Sequence, residues 1–184
     1  MKNFTIFALI CFFLLGTFLP TGAREEEILT VKTFISQDGV HPGDTFKVAF
    51  LVKIAPGWHI NGPEHADEYL IPSELIIDQD AEIKVMNLYY PESESQRFEY
   101  SEAEIPVYRG DVLLGALLKV SDDPAEKKHV IKAHFLYQPC NDRSCLPPET
   151  LNVEVPFKVV SSSQKIKEIN RDIFSKIRFK EKSK

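Results

Sequence analysis

The sequence predicts an all-β fold, an antiparallel sandwich followed by a C-terminal amphipathic helix, and three features of the 184-residue chain predict it. From Ile28 to Val160 apolar and polar residues alternate with period two in short runs, the spacing of half-buried strands. Proline, glycine, asparagine and aspartate punctuate these runs at turn-like intervals, with no helical period among them. After Ser161-Ser162-Ser163 the apolar period changes to three or four.

In chain order, Met1 to Ala23 has the layout of a secretory signal peptide: Lys2, an apolar run from Phe4 to Leu19, Pro20, and Thr21-Gly22-Ala23 before Arg24. The run is shorter than the ~20 residues of a spanning helix. Leu9-Ile10 are too bulky for a lipid-attachment signal at Cys11. Cleavage after Ala23 is therefore expected, giving a periplasmic or otherwise exported chain that is soluble once processed; an uncleaved anchor is the alternative. Residues 24–162 then form one domain and residues 163–184 a basic tail.

Ile28 to Ile35 alternates loosely and ends at the turn signals Gln37-Asp38-Gly39 and His41-Pro42-Gly43-Asp44. Thr45 to Ile54 puts Phe46, Val48, Phe50 and Val52 on one face of a second strand. Tyr69 to Ile77, interrupted near Pro72, Ile83 to Tyr89, Asp111 to Val120, His129 to Gln138 and Leu151 to Val160 complete about seven or eight strands. Residues 90–104, YPESESQRFEYSEAE, break the pattern with a long acidic and aromatic loop. In Gln164 to Lys182, the residues Ile166, Ile169, Ile173 and Ile177 fall three to four apart with Phe174 beside them, the signature of an amphipathic helix. Such a helix packs on its own domain, on a partner, or on a membrane surface.

Charge divides the chain. Residues 24–163 hold 13 Lys+Arg against 24 Asp+Glu, a balance of −11, and residues 164–184 hold 8 against 3, a balance of +5. An acidic body of this kind argues against nucleic acid as a partner.

Loss of the leader leaves two cysteines, Cys140 and Cys145, in the stretch YQPCNDRSCLPPET, where strand 129–138 turns toward strand 151–160. Cysteines flanking such a turn reach bonding distance without rearrangement. As a staple the bond is inefficient: loop closure gives roughly 2 kcal/mol for so small a ring, against about 4 kcal/mol for a link between distant strands. Local hairpin disulfides nonetheless occur in exported domains, so structural and redox roles stand roughly even on the residues alone. A dithiol that exchanges disulfides needs one sulfur open to attack and a second that resolves, with neighbours that set the thiolate fraction; Asp142 disfavours a thiolate and Arg143 favours it. Metal binding would recruit His134, or His59 and His65, but no pair has the spacing of a zinc or haem site, and neither metal nor other cofactor is expected.

YQPCNDRSCLPPET resembles the N-terminal periplasmic domain of the thiol:disulfide interchange protein DsbD, through Tyr137-Gln138 before the first cysteine, Asp142 between the two, and Pro147-Pro148-Glu149-Thr150 after them. The likeness extends to Gly57-Trp58-His59-Ile60-Asn61, Ile71-Pro72-Ser73-Glu74-Leu75 and Val107-Tyr108-Arg109-Gly110-Asp111. It implies an immunoglobulin-like sandwich with Cys140 and Cys145 as the redox pair, Cys145 attacked and Cys140 resolving. It further implies a membrane-embedded dithiol carrier of the DsbD or CcdA type as electron donor, and thioredoxin-like proteins or disulfide isomerases, including those of cytochrome c biogenesis, as clients. Phe98 is the candidate cap over the sulfurs, with Tyr100 as the alternative, and Tyr137, Asp142 and Arg143 are expected near the site. The competing expectation is an immunoglobulin-like binding module, not an enzyme, whose disulfide only shapes a hairpin.

Overall fold

The computed structural model describes residues 27–64, 69–101, 103–124 and 128–179. The leader, and with it the expected cleavage site, lies outside the described residues, as does His65.

Among the described residues, eleven strands and one short helix follow in order: β1 Leu29–Ile35, β2 Thr45–Ile54, β3 His59–Asn61, β4 Glu74–Ile77, β5 Ile83–Tyr89, β6 Glu94–Gln96, β7 Ile105–Tyr108, β8 Asp111–Val120, β9 Lys128–Tyr137, β10 Pro139–Cys140, β11 Glu149–Lys158 and α1 Arg171–Phe174. Their ladders are all antiparallel. They build three sheets, ordered β1-β2-β8-β5, β11-β9-β4 and β10-β3-β7-β6. The all-β antiparallel fold expected from the alternation is the fold observed.

Alternation does the sorting. In β2 the residues Phe46, Val48, Phe50 and Val52 are all but fully buried, and in β8 Leu114, Ala116, Leu118 and Val120 face the same way. Opposite them β9 contributes Ile131, Ala133 and Phe135, and β11 contributes Val153, Val155 and Phe157, in one contiguous core. Phe46 and Phe157 stack across it at 5.2 Å. Burying each such side chain is worth roughly 1.5–3 kcal/mol, so the sandwich rests on this layer.

The third sheet is small and carries its own cluster, Phe98, Ile105 and Val107, with Leu70 and Tyr100 against it. Its strands β3, β6, β7 and β10 have two to four residues each, too short for a period to register in the sequence. The loop 90–104 is thus partly a strand: β6 pairs with β7 before the chain turns Phe98 inward.

The expected amphipathic helix from Gln164 to Lys182 is corrected, over residues 164–179, to one turn, α1, of four residues, and residues 180–182 lie outside the described ones. Backbone partners on the sandwich displace the helix. Ile169 N–H donates to Ser36 O, Asp38 N–H donates to Lys167 O, and Asn170, in left-handed backbone at φ 54°, sends Nδ2 to Ile35 O. Four β-branched isoleucines give the competing helix little intrinsic stability. The apolar period survives as a strap. Register aligns Phe34, Ala49, Gly115 and Tyr89 in a row across the outer face of the first sheet. Phe179 meets Tyr89 there at 4.9 Å, with Lys47 Nζ 4.6 Å from its ring centre. Of the surfaces open to the tail, its own sandwich takes residues 164–179.

Gly115 is where the strap comes closest: a Cβ there would stand 2.9 Å from Ile177 Cγ2 and 3.0 Å from Phe179 Cε1. Gly115→Val should therefore lift the strap while leaving the core layer intact. The expected outcome is several-fold faster tryptic cleavage after Lys176 or Arg178, with a change in unfolding free energy within about 1 kcal/mol; cleavage at the wild-type rate would contradict this packing.

Candidate active site

The cysteine hairpin is built by its own residues. Asn141 Oδ1 accepts from the backbone N–H groups of Arg143 at 2.9 Å and Ser144 at 3.0 Å, an Asx-type turn. Asn141 N–H donates to Ser144 O, and Leu146 N–H donates to Pro139 O, closing the ladder on both sides of the cysteines. Cys140 and Cys145 are joined in a disulfide. The two sulfur-bearing residues differ in access. Cys140 is completely buried at 0% exposure, whereas Cys145 is partly exposed.

Strand β10 pairs with β3, with Cys140 opposite His59 and Pro139 opposite Ile60. Directly opposed residues share a face, so the His59 ring lies on the Cys140 side of the sheet. The Ala55-Pro56-Gly57 turn delivers it, with Trp58 N–H donating to Ala55 O and Gly57 at φ 83°, the left-handed position that glycine fills without strain. On the far side, β3 pairs with β7, which carries Arg109 just past its end.

Three aromatic rings stack over this floor. Phe98 lies 4.3 Å from the His59 ring at 14°, and Tyr100 lies 5.1 Å from Phe98 at 9°. The Tyr100 hydroxyl is 2.9 Å from His59 Nε2. Both residues of the loop therefore converge on the same imidazole. Arg109 borders the stack: Nε donates to Gln96 Oε1 at 3.0 Å, Nη2 donates to Asp142 Oδ1 at 3.0 Å and lies 3.5 Å from His59 Nδ1, and Cζ stands 5.8 Å from the Phe98 ring centre.

Burial and charge fix the protonation states. Burial first, and the Arg109 guanidinium second, lower the His59 pKa to about 4, with Asp142 opposing. The ring is neutral at physiological pH. Burial raises the Tyr100 hydroxyl to about 12, against a lowering by Arg109. It stays a phenol and can donate to the imidazole.

Gln138 anchors the hairpin from behind. Its Oε1 accepts from Ile71 N–H at 3.0 Å and from Asn61 Nδ2 at 3.3 Å, and its Nε2 donates to Leu146 O at 3.2 Å. One buried amide thus ties the residue after Cys145 to β3 and to the 70–72 segment.

Of the residues singled out from sequence, Asp142 is exposed and paired with Arg109, and Arg143 is exposed, its backbone N–H in the Asn141 turn. Tyr137 points the other way, into the main core, where it stacks on Phe135 and its hydroxyl donates to Glu149 Oε2 at 2.7 Å. His134 sits on the outer face of the second sheet, with Nδ1 2.8 Å from Asn152 Oδ1 and Nε2 3.2 Å from Asp78 Oδ1. Sequence reasoning left roles for His59, Arg109, Gln138 and Asn61 unassigned. All four lie within the motif stretches already quoted, yet only the pairing of β3 with β7 and β10 brings those stretches together.

The sequence matches, over residues 25–156, the family described as thiol:disulfide interchange protein DsbD, N-terminal. The chain belongs to this family. Among solved structures, it is similar to the N-terminal periplasmic domain of ScsB from Proteus mirabilis, at 11% identity and TM-score 0.48, over 73% of this chain and 48% of that one. It thus spans about half the length of the ScsB domain. Similarity extends to a chain of the Coh-OlpA–Doc918 cohesin–dockerin complex from Clostridium thermocellum, at 17% identity and TM-score 0.39 over 71% of this chain and 99% of that one. The seventh ScaB type I cohesin from Pseudobacteroides cellulosolvens aligns at 11% identity and TM-score 0.41, over 73% of this chain and 94% of that one. No curated protein matches the sequence. Membership in the DsbD N-terminal family makes this chain a member of a thiol–disulfide exchange family, and among the described residues no helix is long and apolar enough to cross a membrane.

The lowered pKa of His59 has a pH consequence. Because the unfolded ring binds its proton near pH 6.5 and the folded ring only near 4, stability is lost as pH falls through that window and is fully present above it. His59→Phe keeps a stacking ring without the titration. Denaturant midpoints measured from pH 7 to pH 4.5 should fall more steeply for the wild type than for this variant, and NMR should find the His59 midpoint near 4; a midpoint near 6.5 would contradict the buried, neutral ring.

Proposed function

We propose that this chain is an exported electron relay that exchanges disulfides through Cys140 and Cys145, within a domain spanning residues 24–162 that is released from a leader ending at Ala23. The observation that carries the proposal is the difference in access between the two sulfurs, together with the stack of Phe98 and Tyr100 on His59, the residue paired with Cys140. A staple has no use for one reachable sulfur; an exchange reaction requires it.

The chemistry follows from that asymmetry. A thiolate of a reduced donor attacks Cys145 Sγ, a mixed disulfide forms, and the bond to Cys140 Sγ breaks with the electron pair leaving on Cys140. The donor's second thiol then attacks the mixed disulfide and releases Cys145. The donor is left oxidised, and this chain has gained two electrons and two protons. The reverse sequence on a client's disulfide discharges them. Cys140, sealed against β3, serves as the resolving sulfur because only an intramolecular partner reaches it.

Family membership supports donors and clients of matching chemistry: a membrane dithiol carrier of the DsbD or CcdA type on one side, thioredoxin-like or isomerase proteins on the other, including those of cytochrome c biogenesis. Phe98 and Tyr100 act as the cap that excludes casual thiols and yields to a docked protein.

Two measurements test the proposal. The reduction potential of the pair should lie above about −300 mV, within reach of thioredoxin-like proteins; a lower value, with resistance to those proteins, would leave a structural staple. Reduced Cys140→Ser should accumulate a mixed disulfide at Cys145 with an oxidised thioredoxin-like protein, its thiolate displacing one sulfur of that protein's disulfide as a thiolate, whereas Cys145→Ser should trap at least about tenfold less, since its remaining sulfur is buried.

A further inference from the structure

We infer that Arg109 is a positioning residue that holds the aromatic cap over the disulfide by tying the cap loop to the loop between the cysteines. The inference rests on reading Cys140–Cys145 as the exchanging pair. Three segments far apart in the chain meet at this one side chain. Gln96 and Phe98 belong to the cap loop, Asp142 lies inside the ring that the disulfide closes, and His59 forms the floor under both.

The geometry calls for a guanidinium. Nε and Nη2 donate at 3.0 Å in two directions, to Gln96 Oε1 and Asp142 Oδ1, while the planar carbon faces the Phe98 ring. A lysine ammonium, a point charge on a flexible stem, cannot span these partners at once. No single tether is strong. The Arg109 and Asp142 side chains are 31% and 77% exposed, so their ion pair is screened and of the weak surface kind. The value of the arrangement is that all contacts share one side chain and are lost together, which suits a lid that a docking protein must open.

Electrostatics alone predicts the opposite outcome, and this separates the two. An incoming thiolate is attracted by Arg109, so removing that charge without disturbing the cap slows attack on Cys145. If Arg109 holds the cap, removing it exposes the sulfurs and speeds attack. The experiment is the second-order rate constant for reduction of the full oxidised chain by dithiothreitol, in wild type, Arg109→Gln, Gln96→Ala and the Arg109→Gln/Gln96→Ala pair.

Arg109→Gln is expected to react about three- to fivefold faster than wild type, the factor matching the upper range of an exposed ion pair. Gln96→Ala, which alters no charge, should be faster by a smaller factor. The double variant should react no faster than Arg109→Gln alone, because one latch has already been opened. A rate at or below wild type in either Arg109→Gln or Gln96→Ala, or multiplied effects in the double variant, would overturn the assignment. Thermal midpoints identify a variant that fails to fold, in which case Gln96→Ala decides. Reduction by dithiothreitol proceeds whatever the natural donor, so these rates remain readable even if the measured potential removes the relay function.

Discussion

The site depends on the pairing of β3 with two strands at once. His59, Ile60 and Asn61 lie between β10 on one side and β7 on the other. That three-residue strand is entirely buried, and its neighbours contribute the cysteine hairpin and Arg109. Without it, residues 57–61, 94–109 and 138–146 would be separate surface segments. With it, a sulfur, an imidazole, two aromatic rings and a guanidinium share one corner of the molecule.

Energies divide according to burial. The main core gains from many phenylalanines and branched aliphatics, each worth kilocalories, whereas the small disulfide ring adds only about as much as one of them. The site is held by weaker, more polar contacts. Gln138 uses both ends of its amide to fix the residue after Cys145, and leaving such a buried group without partners would be costly, which makes the hairpin's position definite. The cap side rests on ring stacking and on exposed or half-exposed hydrogen bonds, each worth about 1 kcal/mol or less. The hairpin is thus held more firmly than the stack of Phe98 and Tyr100 on His59.

Charge placement also changes once the chain is folded. Read along the sequence, Asp142 and Arg143 stand beside the sulfurs with opposite effects. In the structure Asp142 is taken up by Arg109, thirty-three residues earlier, while Arg143 is exposed. The charges that bear on His59, opposite Cys140, are therefore those of Arg109 and Asp142, which no local reading could supply.

The sequence by itself determined the long strands, β2, β5 and β8 to the residue, because a two-residue period over seven to ten positions is legible without any partner. It also marked the cysteine hairpin, whose turn is made by Asn141 within the same six residues, and the family motifs around it. Tertiary structure decided the rest. β3, β6, β7 and β10 are too short to announce themselves and exist only as ladders with remote neighbours. The isoleucine period after Ser163 reads equally as a helix face or as a strap, and the choice went to the strap because the end of β1 and the residue after it offered carbonyl acceptors at Ile35 and Ser36. Which sulfur is reachable was likewise undecidable from CNDRSC: burial is a property of what covers a residue, and Cys140 is buried where β10 meets β3, with His59 opposite it, from elsewhere in the chain.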